Sequence, residues 1–147
     1  MNRALVTEKI VATKIAKGLN WEEVAKEIGS AKEWVTCALL GQMAMNEKEA
    51  SIAAKIFDLD EEETKWLTTP PYRGGLGQSV PTDALLYRFY ELIQVYGPAM
   101  KALIEEKFGD GIMSAIDFSM DISKEENPAG DRVVVTLNGK FLPYKRY

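Results

Sequence analysis

The chain has 147 residues, 46% hydrophobic and 27% charged, a globular balance that excludes a long disordered tail and leaves room for one core or two small ones. Its formal charge of −4 denies it the basic footprint that nucleic acid or an anionic lipid surface requires. Histidine is absent and Cys37 is the single cysteine, so an internal disulfide framework, the usual zinc and haem sites and histidine-based catalysis are excluded.

No apolar run approaches the roughly 20 residues of a membrane span, and Glu8 and Lys9 stand where a signal peptide needs an apolar stretch. A cytoplasmic protein with no membrane partner is expected. Along residues 1–70, polar caps recur just before apolar residues at helical spacing, which predicts a helical bundle domain. Leu5, Ile10, Val11, Ile15 and Ala16 form the first apolar stripe, with Gly18 as its stop. Asn20 then caps a helix over 21–28, with Glu23 placed for a capping box and Gly29 as the stop. Ser30 is expected to cap 31–40, again with Glu33 three residues on. Asn46 and Asp60 start helices over 47–57 and 61–67, each with glutamates at the favourable end of the dipole.

The segment 21–40 (WEEVAKEIGSAKEWVTCALL), with its Ala25-x-x-x-Gly29 turn, has the look of a helix-turn-helix DNA reader. Its second helix carries only Lys32 and Glu33 as charges, and residues 1–70 hold nine Lys/Arg against twelve Asp/Glu. Phosphate contact needs cations, so the turn reads as structural and no nucleic-acid partner is expected.

Residues 71–82 lie within a proline- and glycine-rich stretch (TTPPYRGGLGQSVPT) that reads as a connector. The C-terminal domain then occupies 83–147. An amphipathic helix starts at Asp83, with Leu85, Leu86, Phe89, Leu92, Ile93 and Tyr96 on one stripe. Gly97 is expected to break it and Pro98 to open a second helix reaching Phe108. Strict alternation over 116–122 (IDFSMDI) marks a half-buried strand, and strands over 132–137 and 140–144 flank Asn138-Gly139, a type I′ hairpin sequence. The fold class is thus α+β, a helical bundle resembling helix-turn-helix domains followed by two helices and a β-hairpin. So thin a second core predicts stabilisation against another copy.

Chemistry must come from carboxylates, Arg, Lys, Tyr or Ser. Cys37 lies among Val35, Ala38 and Leu39 and reads as a small hydrophobe. Residues 58–63 (DLDEEE) lack the spacing and glycine of a calcium loop and read as an acidic helix start. Tyr87, Tyr90 and Tyr96 read as packing residues, given a phenol pKa near about 10. Arg88 and Glu91, at i and i+3, are helix neighbours; a carboxylate-held guanidinium can grip a small anion through its fork, and the alternative is an exposed ion pair. Ser114, after Gly109-Asp110-Gly111, reads by itself as a strand-start residue.

Pro81-Thr82-Asp83, Tyr87-Arg88-Phe89-Tyr90-Glu91 and Gln94-Val95-Tyr96-Gly97 resemble the signature of the cyanase (cyanate hydratase, cyanate lyase) family. The resemblance continues through Lys101-Ala102-Leu103, Glu106-Lys107-Phe108-Gly109-Asp110-Gly111-Ile112 and Ser114-Ala115-Ile116 to Leu137, Gly139-Lys140 and Leu142-Pro143. It reaches back to Val35-Thr36 and Ala38-Leu39-Leu40-Gly41-Gln42, and departs at Ala84 and around 74–80. It implies a bundle used for assembly and a C-terminal domain interlocked with a partner, in dimers that build a decamer with sites at subunit interfaces. It implies a lyase that converts cyanate, with bicarbonate as co-substrate, to carbamate and carbon dioxide, the carbamate then yielding ammonia. The catalytic residues implied are Arg88, Glu91 and Ser114, with no metal and no organic cofactor. The competing function is a helix-turn-helix DNA-binding transcription factor with a C-terminal dimerisation domain.

Overall fold

The computed structural model describes residues 2–71 and 79–146, so the centre of the expected connector lies outside the described residues. The chain divides into two compact units, Met1–Gly75 and Leu76–Tyr147. The first holds helices α1 (Arg3–Lys17), α2 (Trp21–Ile28), α3 (Lys32–Leu39), α4 (Glu47–Phe57) and α5 (Glu61–Thr68). The second holds α6 (Ala84–Phe108), β1 (Gly111–Glu125) and β2 (Arg132–Pro143), so the protein is α+β.

Local capping sets the helix boundaries of the first unit. Asn2 Oδ1 accepts from the Leu5 N–H, and Asn20 Oδ1 accepts from Glu22 and Glu23. Asn46 with Glu49 and Asp60 with Glu63 form complete capping boxes. Gly18 and Gly29 close α1 and α2 in the left-handed region, as their positions after the last apolar residue require. Ser30 departs from expectation: Ala31 is the N-cap of α3 with no side-chain bond, and the Ser30 hydroxyl donates to Glu49 Oε1 at 2.9 Å. The hydroxyl proton goes to the carboxylate of a later helix, and no side-chain oxygen caps the first turn of α3.

The core of this unit is built on Val6, Ile10, Val35, Leu39, Phe57 and Leu67, all fully buried. The expected stripe of α1 is rotated, since Val6 and Ile10 face inward while Leu5 and Ile15 are exposed. Apolar residues on α1 overlap in two stripes, and partners choose between them. Lys9 Nζ meets the buried Glu63 Oε2 at 2.5 Å, and Lys17 Nζ reaches the Ile56 carbonyl at 2.8 Å and Asp58 Oδ2 at 2.6 Å. Arg3 Nη2 donates to the Ala38 carbonyl, and burial pulls the Arg3 pKa down from its ordinary value.

The second unit corrects two expectations. First, α6 is one helix that runs through Gly97 and Pro98, capped by Asp83 Oδ1 on the Leu85 and Leu86 N–H groups. Proline forfeits one bond to the Gln94 carbonyl, a local cost of about 3 kcal/mol, and the good helix formers that follow it, Ala99 to Leu103, continue the ladder. Second, the described residues form two strands where the sequence predicts three, and Asn138-Gly139 lies inside β2, paired with Ser119 and Phe118 of the antiparallel β1. Neither residue has the positive φ that a type I′ turn demands. The chain reverses over 126–131, where the Gly130 N–H donates to the Asn127 carbonyl and Gly130 takes φ 120°.

Among the described residues of this unit only Ser114 is buried. The helix buries none of its side chains, and β1 and β2 expose Ile116 (97%) and Val133 (76%). Phe108 and Phe141 stack at 5.1 Å where the end of α6 meets the hairpin.

Candidate active site

Two features of the second unit carry the residues that the sequence singles out. On α6, i and i+3 positions share a face, and Arg88 Nη1 donates to Glu91 Oε2 at 2.6 Å. The two side chains are 73% and 45% exposed, so the ion pair is open to solutes in the single chain. One turn on, Gln94 Nε2 donates to Tyr90 Oη at 3.1 Å, and the Tyr87 and Tyr90 rings lie 6.1 Å apart. Tyr87 is exposed and Tyr96 more so, so neither is a packing residue within the single chain.

Ser114 is held by an irregularity in the hairpin. Met113 pairs with Phe141 and Phe118 with Gly139, so residues 114–117 bulge opposite Lys140 alone. Within the bulge the Ser114 oxygen accepts from the Ile116 N–H at 3.0 Å and the Asp117 N–H at 2.9 Å. The residue is 6% exposed. Its sequence context predicts a strand-start residue; it is the base of a bulge inside β1.

The structure thus joins Arg88 to Glu91 and Ser114 to its own bulge. Among the described residues no hydrogen bond joins the two groups. Gly139 lies against the Ser114 carbonyl, a proximity that the Asn-Gly pair, with its local preference for a turn, does not announce. A glycine inside a strand is itself the signal of a bulge or a close backbone approach. Among the described residues no cluster of His, Cys, Asp or Glu has the make-up to hold a metal ion. Cys37 is half-buried in the other unit, beside the buried Val35, Ala38 and Leu39.

A helical bundle, one long helix carrying an open arginine–glutamate pair and a bulged hairpin together define a small two-unit α+β protein. The family profile described as "Cyanate hydratase, N-terminal" matches residues 3–71, and that described as "Cyanate lyase C-terminal domain" matches 78–146. The chain is 60% identical to a cyanate hydratase of Polaromonas sp. and 59% identical to one of Methylibium petroleiphilum, each over the full length of both proteins. A crystal structure of cyanase from T. urticae superposes with a TM-score of 0.81 at 38% identity, covering 94% of this chain and 96% of that one. The chain belongs to the cyanate lyase family, whose members are lyases. Neither profile describes a DNA-binding protein, and the transcription-factor reading is set aside.

Proposed function

We infer that this chain decomposes cyanate to ammonia and carbon dioxide through carbamate, with bicarbonate as the second substrate. Family membership over both halves of the chain carries the reading. The residue inventory supports it. Bicarbonate brings its own nucleophilic oxygen and its own proton, so no histidine has to titrate near neutrality. A bicarbonate oxygen bonds to the cyanate carbon while its proton passes to nitrogen, giving a dianionic adduct. The bond between the bridging oxygen and the former bicarbonate carbon then breaks, carbon dioxide leaves, and one proton from solvent yields carbamate. A second proton releases ammonia and the other carbon dioxide.

The protein's task is to hold two like-charged anions together and to stabilise the dianion. Arg88 supplies the positive charge. Glu91, at 2.6 Å, orients the guanidinium rather than facing an anion that it would repel. Ser114 donates to the carboxylate derived from bicarbonate. No metal or organic cofactor enters this scheme.

The same reading includes a cytoplasmic homo-oligomer, a decamer built from dimers with sites at subunit interfaces. The exposed apolar surface of α6, β1 and β2 supports it, since stable monomers rarely leave so much apolar surface in water. The test is ammonia release from cyanate with and without bicarbonate. Bicarbonate-dependent ammonia is expected, and assembled protein releasing none in its presence would overturn the reading. Oxalate or malonate, as small dianions, should inhibit competitively at millimolar concentration.

A further inference from the structure

We propose that Gly139 is a positioning residue for Ser114, holding the bulge closed so that the serine hydroxyl can act only as a hydrogen-bond donor toward an anion. This inference rests on the placement of Ser114 in the site proposed above.

A serine oxygen offers two lone pairs and one hydrogen. Both lone-pair positions of Ser114 are engaged, by the Ile116 and Asp117 N–H groups at 3.0 and 2.9 Å. Only the O–H remains. Two donors converging on the side-chain oxygen of a nearly buried residue also polarise that O–H and strengthen the bond it makes. Such a hydroxyl matches an anionic oxygen, which accepts, and cannot serve the O–H of bicarbonate, which must donate. Bicarbonate is therefore bound with its carboxylate edge toward Ser114 and its own proton turned away, toward the cyanate nitrogen that receives it. The bulge thereby becomes an orientation filter for the second substrate.

Gly139 is what lets the bulge close. A Cβ there would stand 2.3 Å from the Ser114 carbonyl oxygen and 2.6 Å from Met113 Cγ. Its φ is not in the left-handed region, so the glycine is needed for space and not for backbone freedom. The Met113 side chain can move aside, whereas the Ser114 carbonyl cannot move without carrying the residue's own N–H partners with it. An added methyl therefore pries the bulge open and frees the hydroxyl to rotate and to accept.

The experiment is a double-mutant cycle in the full-length protein: wild type, Ser114→Ala, Gly139→Ala and the double variant, with assembly checked by sedimentation. Gly139→Ala should assemble and lose at least about tenfold in kcat, with KM for cyanate changed by less than about threefold. In the Ser114→Ala background the same change should cost less than about twofold, because the group it acts through is gone. Multiplicative losses, or wild-type rates in assembled Gly139→Ala, overturn the inference and leave the Ser114 assignment standing. Wild-type rates in Ser114→Ala alone overturn that assignment and the inference with it. If Gly139→Ala does not assemble, Met113→Ala/Gly139→Ala removes the side-chain clash, keeps the carbonyl clash and takes its place in the cycle. Recovery of wild-type rates in that pair, or its failure to assemble, shows Gly139 to be a packing residue only and overturns the inference.

Discussion

The two units of this chain are stabilised in opposite ways. Residues 2–71 bury Phe57, Ile10 and Leu39 completely and cap α1, α2, α4 and α5 with their own side chains, so this unit has a core within one copy. The described part of the second unit buries Ser114 alone and leaves Leu85, Phe89, Ile93 and Val133 in water. Comparable apolar content therefore has two uses, a private core and a surface that needs company. Arg88, Glu91 and Ser114, which we propose as the catalytic residues, all lie in this second unit, so on that proposal their geometry depends on assembly.

The contrast breaks first at the hairpin. Leu137→Asp sets a charge on the exposed apolar face and should abolish both assembly and activity, while the helical signal of the first unit persists. A wild-type sedimentation profile for this variant would remove the distinction between the units. Phe57→Ala probes the opposite side. It should destabilise the first unit by about 3–5 kcal/mol in chemical denaturation, with a residual cavity as the cause.

Arg88 separates charge from geometry. Arg88→Ala and Arg88→Lys should each lose on the order of 10²-fold or more in kcat, since an ammonium lacks the fork that Glu91 orients. Glu91→Gln should lose activity and keep the assembly. Near-normal rates in assembled Arg88→Ala protein would reduce the pair to a solvated ion pair contributing at most about 1 kcal/mol. Asn46→Ala is a smaller test of the self-sufficient unit, with an expected loss of about 1 kcal/mol from the broken capping box.

The smallest effect concerns Glu61 and Lys65, an exposed i, i+4 pair at 2.8 Å. The hydrogen bond and charge of Lys65 lower the Glu61 pKa, and Glu61 raises that of Lys65 in return. A lowered carboxylate stabilises the fold above its unfolded pKa and loses that contribution as pH falls through its folded value. A raised lysine does so below its unfolded pKa and loses it as pH rises through its folded value. Lys65→Met should return Glu61 toward the ordinary glutamate range in an NMR titration, with activity unchanged.

Much of the first unit was legible because its signals are local. A cap acts on an N–H two or three residues away, so Asn20, Asn46 and Asp60 announce helices without knowledge of the fold. Ser30 departs from the cap its position suggests, and the carboxylate that takes its hydroxyl proton, Glu49, is nineteen positions distant and becomes a neighbour only when α4 packs. The Arg88–Glu91 pair was legible for the same reason as the caps, being separated by less than one helical turn.

By itself the sequence determined the α+β class, the helical caps, the absence of histidine chemistry and, through the motif around Arg88 and Glu91, the family. Only the tertiary structure decided that Gly97-Pro98 does not break α6, that Asn138-Gly139 runs inside β2, and that Ser114 sits in a bulge against Gly139. Register is the physical reason. A strand's pairing partner lies many residues away in the chain, and a turn sequence has only a local preference to set against a whole ladder of hydrogen bonds. Where β2 pairs along β1, the ladder wins, and the glycine whose sequence suggests a reversal instead makes room for the Ser114 carbonyl beside it.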